Sequence, residues 1–124
     1  MHNFKKLSIW AKSMDFVTDI YRTTNTFPSS ERFGLVSQLQ RAAVSVPANI
    51  AEGSAKSSNK DFARFLEIAI GSTFEVETEL VVSFNLNYIN AEQLNQLVDK
   101  LSELQKMIIG FKEKLKQQNQ TLES

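Results

Sequence analysis

At 124 residues, with 14 basic and 14 acidic side chains and no cysteine, the chain has the length of one domain that buries a core without disulfide or thiolate chemistry. A formal net charge of zero removes any overall field toward nucleic acid or membrane. No apolar run approaches the ~18 residues of a membrane span and no charged-then-apolar leader opens the sequence, so a soluble, cytoplasmic protein is expected.

The first element is a helix over about residues 8–26, with Ser8 as its N-cap, stopping before Pro28. Its apolar stripe is read as Leu7, Trp10, Met14, Val17 and Tyr21, with Ile20 and Thr24 beside it. Trp10 is expected to anchor the core rather than to stack on a base.

Ser29 or Ser30 should cap a second helix, over 30–53, with Glu31 and Arg32 in its first turn. Leu35, Leu39, Ala42, Val46 and Ile50 form its stripe, and Val36, Ala43 and Ala51 a second, mostly small-residue flank. Pro47 removes one backbone donor and crowds the carbonyl of Ala43, so a kink or loosening is expected there. Gly53 is read as the left-handed residue ending this helix.

Ser58 to Asp61 make a variant capping box that opens a third helix over 58–87. Its face carries Phe62, Leu66, Ala69, Thr73, Val76, Leu80 and Phe84. Gly71 costs ~1 kcal/mol relative to alanine inside a helix, which is accounted for by a close helix–helix approach. After a turn over 87–90, Asn90 caps a fourth helix, 91–118. Its Leu94, Leu97, Leu101, Leu104, Ile108, Phe111 and Leu115 keep a/d spacing, and the tail from Gln117 should fray.

Four long amphipathic helices with short connections predict an all-α, antiparallel up-down-up-down four-helix bundle in a single domain over 1–124. Phe16, Val36, Phe65, Phe74, Val81, Val82, Val98, Met107 and Ile109 lie off the main stripes. That surplus of apolar surface points to a subunit interface and hence to a homo-oligomer.

Few residues offer chemistry. His2, the one histidine, stands in a terminus expected to fray, which argues against a histidine metal centre or a Ser-His triad. Glu75, Glu77 and Glu79 lack the E-x-x-H partners of a di-iron bundle site and read as a solvated or salt-bridged face, with 75 and 79 on one side and 77 on another. Lys112, Lys114 and Lys116, interleaved with Glu113, read as a solvated end. There is no phosphate-binding loop, G-x-S-x-G or C-x-x-C, and no catalytic residue, metal, cofactor or small-molecule substrate is expected.

Asn49 and Glu52 share a helical face. Three roles are open to them: satisfying backbone groups while pairing with Arg41, Arg64 or another subunit; forming a polar ligand or proton-transfer site; or contacting a partner macromolecule. Residues 1–28 carry four basic and two acidic groups, 58–90 two and five, and 91–124 five and five, so any basic surface is expected from the first half or from the lysine-rich end.

Residues 35–80 closely resemble the 23S rRNA intervening-sequence protein family, which is similar to the accessory variability determinant proteins of diversity-generating retroelements. The resemblance rests on Trp10, Tyr21 and the Phe27-Pro28 turn, and on Glu31, Phe33, Gly34 and Leu35. It continues through Gln38, Leu39, Arg41, Ala42, Ala43, Ser45 and Val46, then Asn49 through Gly53. Ala69, Gly71, Ser72, Glu75, Glu77 and Thr78 complete it with Tyr88 and Ile89. Gln40 stands where many relatives carry a second basic residue.

The resemblance implies a bundle that assembles as a homopentamer around a central channel, with no enzymatic activity. Arg41, Asn49, Glu52, Glu75 and Glu77 are then expected to tie helices or subunits together. It also implies an alternative, binding of structured RNA or of DNA, for which Lys5, Lys6, Lys12, Arg22, Arg41, Lys56, Lys60 and Arg64 are the candidate contacts.

Overall fold

The structure, a computed structural model, describes the backbone of residues 1–123 and the side chains of residues 1–118. Four α-helices account for most of it: α1 (Ser8–Thr24), α2 (Leu35–Ser54), α3 (Asn59–Asn85) and α4 (Ala91–Glu123). Short 3-10 turns at Phe4–Lys6 and Ser29–Glu31 complete the secondary structure, and the described residues include no strand.

Cross-helix contacts show that neighbouring helices run antiparallel. On α1 and α2, Gln40 Nε2 donates to Thr24 Oγ1 (3.2 Å) at one end, while the His2 amide meets the Ser54 carbonyl (2.9 Å) at the other. Ser45 Oγ lies 2.8 Å from Ser72 Oγ between α2 and α3. Asn59 reaches Gln118 at 3.3 Å and Gln105 reaches Glu77 at 3.4 Å, which aligns α3 with α4. Lys12–Glu103 (3.1 Å) and Lys100–Asp19 (2.9 Å) close the circuit between α1 and α4. That last pair is the most loosely packed, with a cleft of about 250 Å³ under its ion pairs.

The core contains Leu39, Ala42, Val46 and Ile50 from α2, Phe62, Leu66, Val76 and Leu80 from α3, and Leu101, Leu104, Ile108 and Leu115 from α4. On α1 the buried residues are Ile9, Ser13, Phe16, Ile20 and Thr24, so this helix is rotated from the stripe read in the sequence. Met14 and Tyr21 are 41% and 46% exposed, while Leu7, Trp10 and Val17 pack against the edge of the core. The rotation is possible because helical hydroxyls need no distant partner. Ser13 Oγ donates to the Trp10 carbonyl at 2.8 Å and Thr24 Oγ1 to the Ile20 carbonyl at 2.9 Å, which satisfies both on the buried face. Of the residues placed off the stripes, Phe16 is buried and Val36 and Met107 pack on the core, whereas Phe74, Val81, Val82 and Ile109 are exposed.

The helix ends differ from the sequence reading where the backbone found other partners. Ser8 is the first helical residue, and Leu7 occupies the cap without a side-chain bond. Ser29–Glu31 form a separate 3-10 turn, and α2 begins only after Gly34. Glu31 is thereby released to accept the Tyr88 hydroxyl at 3.0 Å, a bond that holds the Tyr88 pKa above its ordinary value, with lesser contributions from burial and the Glu31 charge. Pro47 is buried and α2 runs through it without interruption. α3 stops at Asn85 because Asn87 takes a left-handed conformation (φ 64°), which asparagine tolerates better than most residues. Asn90 and Gln93 cap α4 reciprocally, at 2.8 and 2.9 Å.

The amino-terminal segment is tied down. The His2 ring packs edge-on against Phe62 (5.1 Å) and Phe111 (6.0 Å), and Asn3 caps the first turn. α4 continues past Gln117 to Glu123; fraying of side chains beyond Gln118 falls outside the described residues.

Candidate functional site

α2 and α3 are the most intimately packed pair, because both present small side chains along their contact. The approach is tightest at Gly53, where a Cβ would sit 2.7 Å from Phe65 Cβ and 2.8 Å from Phe62 Cδ1. Gly53 is buried within α2, and the helix ends in right-handed geometry at Ala55 (φ −80°, ψ −11°). At Gly71 a Cβ would meet nothing within 4 Å. The roles read from the sequence are therefore exchanged: Gly53 permits the close approach and Gly71 lies on an open surface.

One turn along from Gly53, Asn49 Nδ2 donates to the Ser45 carbonyl (2.8 Å) and to Ser45 Oγ (2.9 Å), and Ser45 Oγ meets Ser72 Oγ. These hydroxyls are bonded to each other and to an amide, and neither an imidazole nor a carboxylate takes part in the network. Such a network sets helix register and activates no nucleophile. Glu52 is exposed, and its side chain has no hydrogen bond or ion pair among the described residues. The structure does not give Asn49 and Glu52 a common partner.

Phe65 and Ser72 both touch α2, and seven residues further along the same line stands Glu79. Its side chain is 8% exposed and its Oε2 has no hydrogen-bond partner. Burial, then the charge of Glu75 one turn back, then a hydrogen bond shared with Glu75, raise its pKa to about 7. Glu77 points away, toward Gln105 on α4. The acidic face expected to be solvated thus conceals one enclosed carboxyl. The signal available in the sequence was the seven-residue step Phe65, Ser72, Glu79, which stays on one side of a helix. Among the described residues no third ligand joins the two carboxylates to hold a metal.

Arg41 is exposed on α2 and lines a shallow groove with Tyr21, Ser37, Gln40, Val44 and Ser45. Its side chain makes no hydrogen bond, ion pair or ring contact among the described residues. Beside the exposed Glu67, Glu75 and Thr78, the outer surface of α3 presents large apolar side chains: Ile68 is 53% and Phe74 55% exposed, and Val81 and Val82 are exposed as well.

The basic residues divide. Lys5 and Lys6 on the amino-terminal turn, Lys56 in the α2–α3 connection, and Lys60 and Arg64 in the first turns of α3 gather at one end of the bundle. Lys112, Lys114 and Lys116 of α4 join them there, as the Asn59–Gln118 contact requires. Several are engaged: Arg64 with Asp61 (3.6 Å), Lys112 and Lys116 with Glu67 (3.8 and 3.5 Å), and Lys56 over the Phe65 ring (5.0 Å). Lys12 pairs with Glu103. Arg22 lies at the opposite end and Arg41 midway along α2, so the eight candidate contacts do not form one surface.

The profile of the 23S rRNA-intervening sequence protein family matches residues 5–110. A crystal structure of a protein of unknown function from the S23 ribosomal protein family of Bacteroides thetaiotaomicron VPI-5482 superposes with a TM-score of 0.78 at 26% identity, covering 85% of this chain and 95% of that one. No curated protein matches the sequence.

Proposed function

The chain belongs to the 23S rRNA-intervening sequence protein family, and from that premise we propose that it is a non-enzymatic bundle whose work is done by self-assembly. The observation that carries this reading is the outer face of α3. Ile68 and Phe74 stand in solvent beside Gly71, a residue that a helix accepts at a cost and that nothing in its own chain requires, and Val81 and Val82 are exposed further along the same helix. Large apolar side chains exposed together on one helix mark a surface that should be covered. A second apolar patch, Met14, Tyr21 and Val44, lies on the α1–α2 side. Two different patches on one chain favour a heterologous contact, which closes into a ring where the rotation between copies permits. A ring of five, as the family resemblance implies, fits this arrangement, and its place of action is the cytoplasm.

Size exclusion with light scattering tests the reading. The wild-type chain should elute as an oligomer at micromolar concentration, and Phe74→Arg should convert it to a folded monomer with unchanged helical circular dichroism. A wild-type monomer under these conditions would sink the proposal.

A second reading, binding of RNA or DNA, is favoured by the gathering of Lys5, Lys6, Lys56 and Lys60 with the α4 lysines at one end, a concentration that a ring would multiply. A kinship with the accessory variability determinant proteins would add to it. Gel shifts with ribosomal RNA fragments at 50 and 200 mM salt test it: affinity should fall by about 10-fold or more for a few phosphate contacts. Binding that ignores salt, or none, would discard it.

A further inference from the structure

We propose that the α3–α4 seam of one copy docks on the α1–α2 seam of the next, with Phe74 on Val44, Ile109 on Tyr21 and Glu77 paired with Arg41. The proposal rests on the self-association proposed above and names the two faces that meet.

The seams lie on opposite sides of the bundle. The helices pack in the circuit α1–α2–α3–α4, and among the described residues neither α1 with α3 nor α2 with α4 makes a close approach. On the first seam Tyr21 and Val44 are exposed and line one groove of about 450 Å³ with Arg41. On the second, Glu77 accepts from Gln105 across the seam at 3.4 Å. Phe74 and Val81 flank Glu77 on its own helical stripe, and Ile109 follows Gln105 by one turn. These three exposed side chains therefore surround that contact. One face offers a groove with apolar walls, and the other offers the bulky groups to fill it.

Copies in a ring are related by rotation, so bundles standing side by side bring together residues at one height. Ser45 is opposite Ser72 and Gln40 opposite Thr24. Counting along these antiparallel pairs puts Val44 level with Thr73, and Tyr21 level with Ala43. Gln105 is opposite Glu77, which puts Ile109 level with Thr73 as well. Tyr21, Val44, Phe74 and Ile109 thus lie within about one turn of each other along the bundle. Setting the second seam of one copy against the first seam of the next also lays α3 on α2 and α4 on α1. Phe74 then meets Val44, and Ile109 meets Tyr21.

The charges keep the same register. Arg41 precedes Val44 by three residues and Glu77 follows Phe74 by three. Because α2 and α3 are antiparallel, both steps run toward the same end of the bundle, by about 4.5 Å each. Arg41 has no hydrogen bond or ion pair among the described residues, and the partner of Glu77 there is the neutral Gln105 amide. A guanidinium suits a carboxylate, and a charge pair beside an apolar contact fixes its register.

The chain has no cysteine, so an introduced pair reports this contact alone. Oxidised Val44→Cys/Phe74→Cys should give a ladder of covalent multimers on a non-reducing denaturing gel, and Tyr21→Cys/Ile109→Cys should do the same. Val44→Cys or Phe74→Cys alone should stay a single chain, since neither position meets itself. In light scattering, Arg41→Glu and Glu77→Arg should each weaken association by about 10-fold or more, as for a lost hydrogen-bonded ion pair. The double variant Arg41→Glu/Glu77→Arg should recover most of it, with helical circular dichroism unchanged throughout. An oligomeric wild type with no ladder from either cysteine pair and no recovery by the charge swap overturns this contact and leaves self-association standing. Single-cysteine variants that cross-link as readily as the pairs overturn it too. A monomeric wild type overturns the contact and self-association together.

Discussion

Gly53→Ala is expected to destabilise the bundle by about 2 kcal/mol, whereas Gly71→Ala should stabilise the monomer by up to ~1 kcal/mol. The opposite signs come from the same atom. A Cβ at residue 53 would lie 2.7 Å from the Cβ of Phe65, an atom fixed to the α3 backbone, so the helices themselves would have to part. The better helix propensity of alanine offsets only part of that cost. At residue 71 the added methyl meets nothing within 4 Å, and the propensity gain stands alone. Urea unfolding should show Gly53→Ala with a lowered midpoint and an unchanged slope, and a melting temperature reduced by roughly 8 °C. Equal effects at the two glycines would contradict the packing described here. At Gly71 a second readout is informative: a side chain on the outer face of α3 should weaken self-association even as it stabilises the monomer.

Glu79→Gln should raise the stability of dilute, monomeric protein at pH 8 by up to about 3 kcal/mol, with little effect at pH 4. The Glu79 pKa stands at about 7 against an ordinary value of 4.5, so the folded chain holds a proton that the unfolded chain releases. Its stabilising contribution is complete below pH 4.5 and is lost as pH rises through about 7. Glutamine keeps the donor to Glu75 and never ionises, so its unfolding free energy should be flat where that of wild type declines. Parallel pH profiles for the two proteins would show that Glu79 is solvated rather than enclosed.

Much of the architecture was legible in local chemistry. The stripe Leu39, Ala42, Val46 and Ile50 recurs at helical spacing and is buried. Ser58 caps α3 through the Asp61 amide at 3.1 Å. These features are encoded within one or two turns, where residue spacing and capping chemistry decide the outcome. α1 was legible as a helix but not in its rotation. Its sequence offers two stripes, and the one that won carries Ser13 and Thr24, which propensity counts as polar although their hydroxyls are satisfied by their own helix.

The candidate site was less legible, since its properties belong to pairs of helices. The polar residues Arg41, Asn49, Glu75 and Glu77 could be named from the sequence, but not Ser72 as the partner of Ser45. Nor could the enclosure of Glu79 or the lack of a partner for Arg41 be read there. By itself, the sequence determined four amphipathic helices, their approximate extent and the family, because period and motif are properties of consecutive residues. Only the tertiary structure decided which glycine admits a neighbouring helix and which carboxyl is shut away from water. Both depend on the distance between atoms that the chain brings together from far apart, and no local pattern specifies that distance.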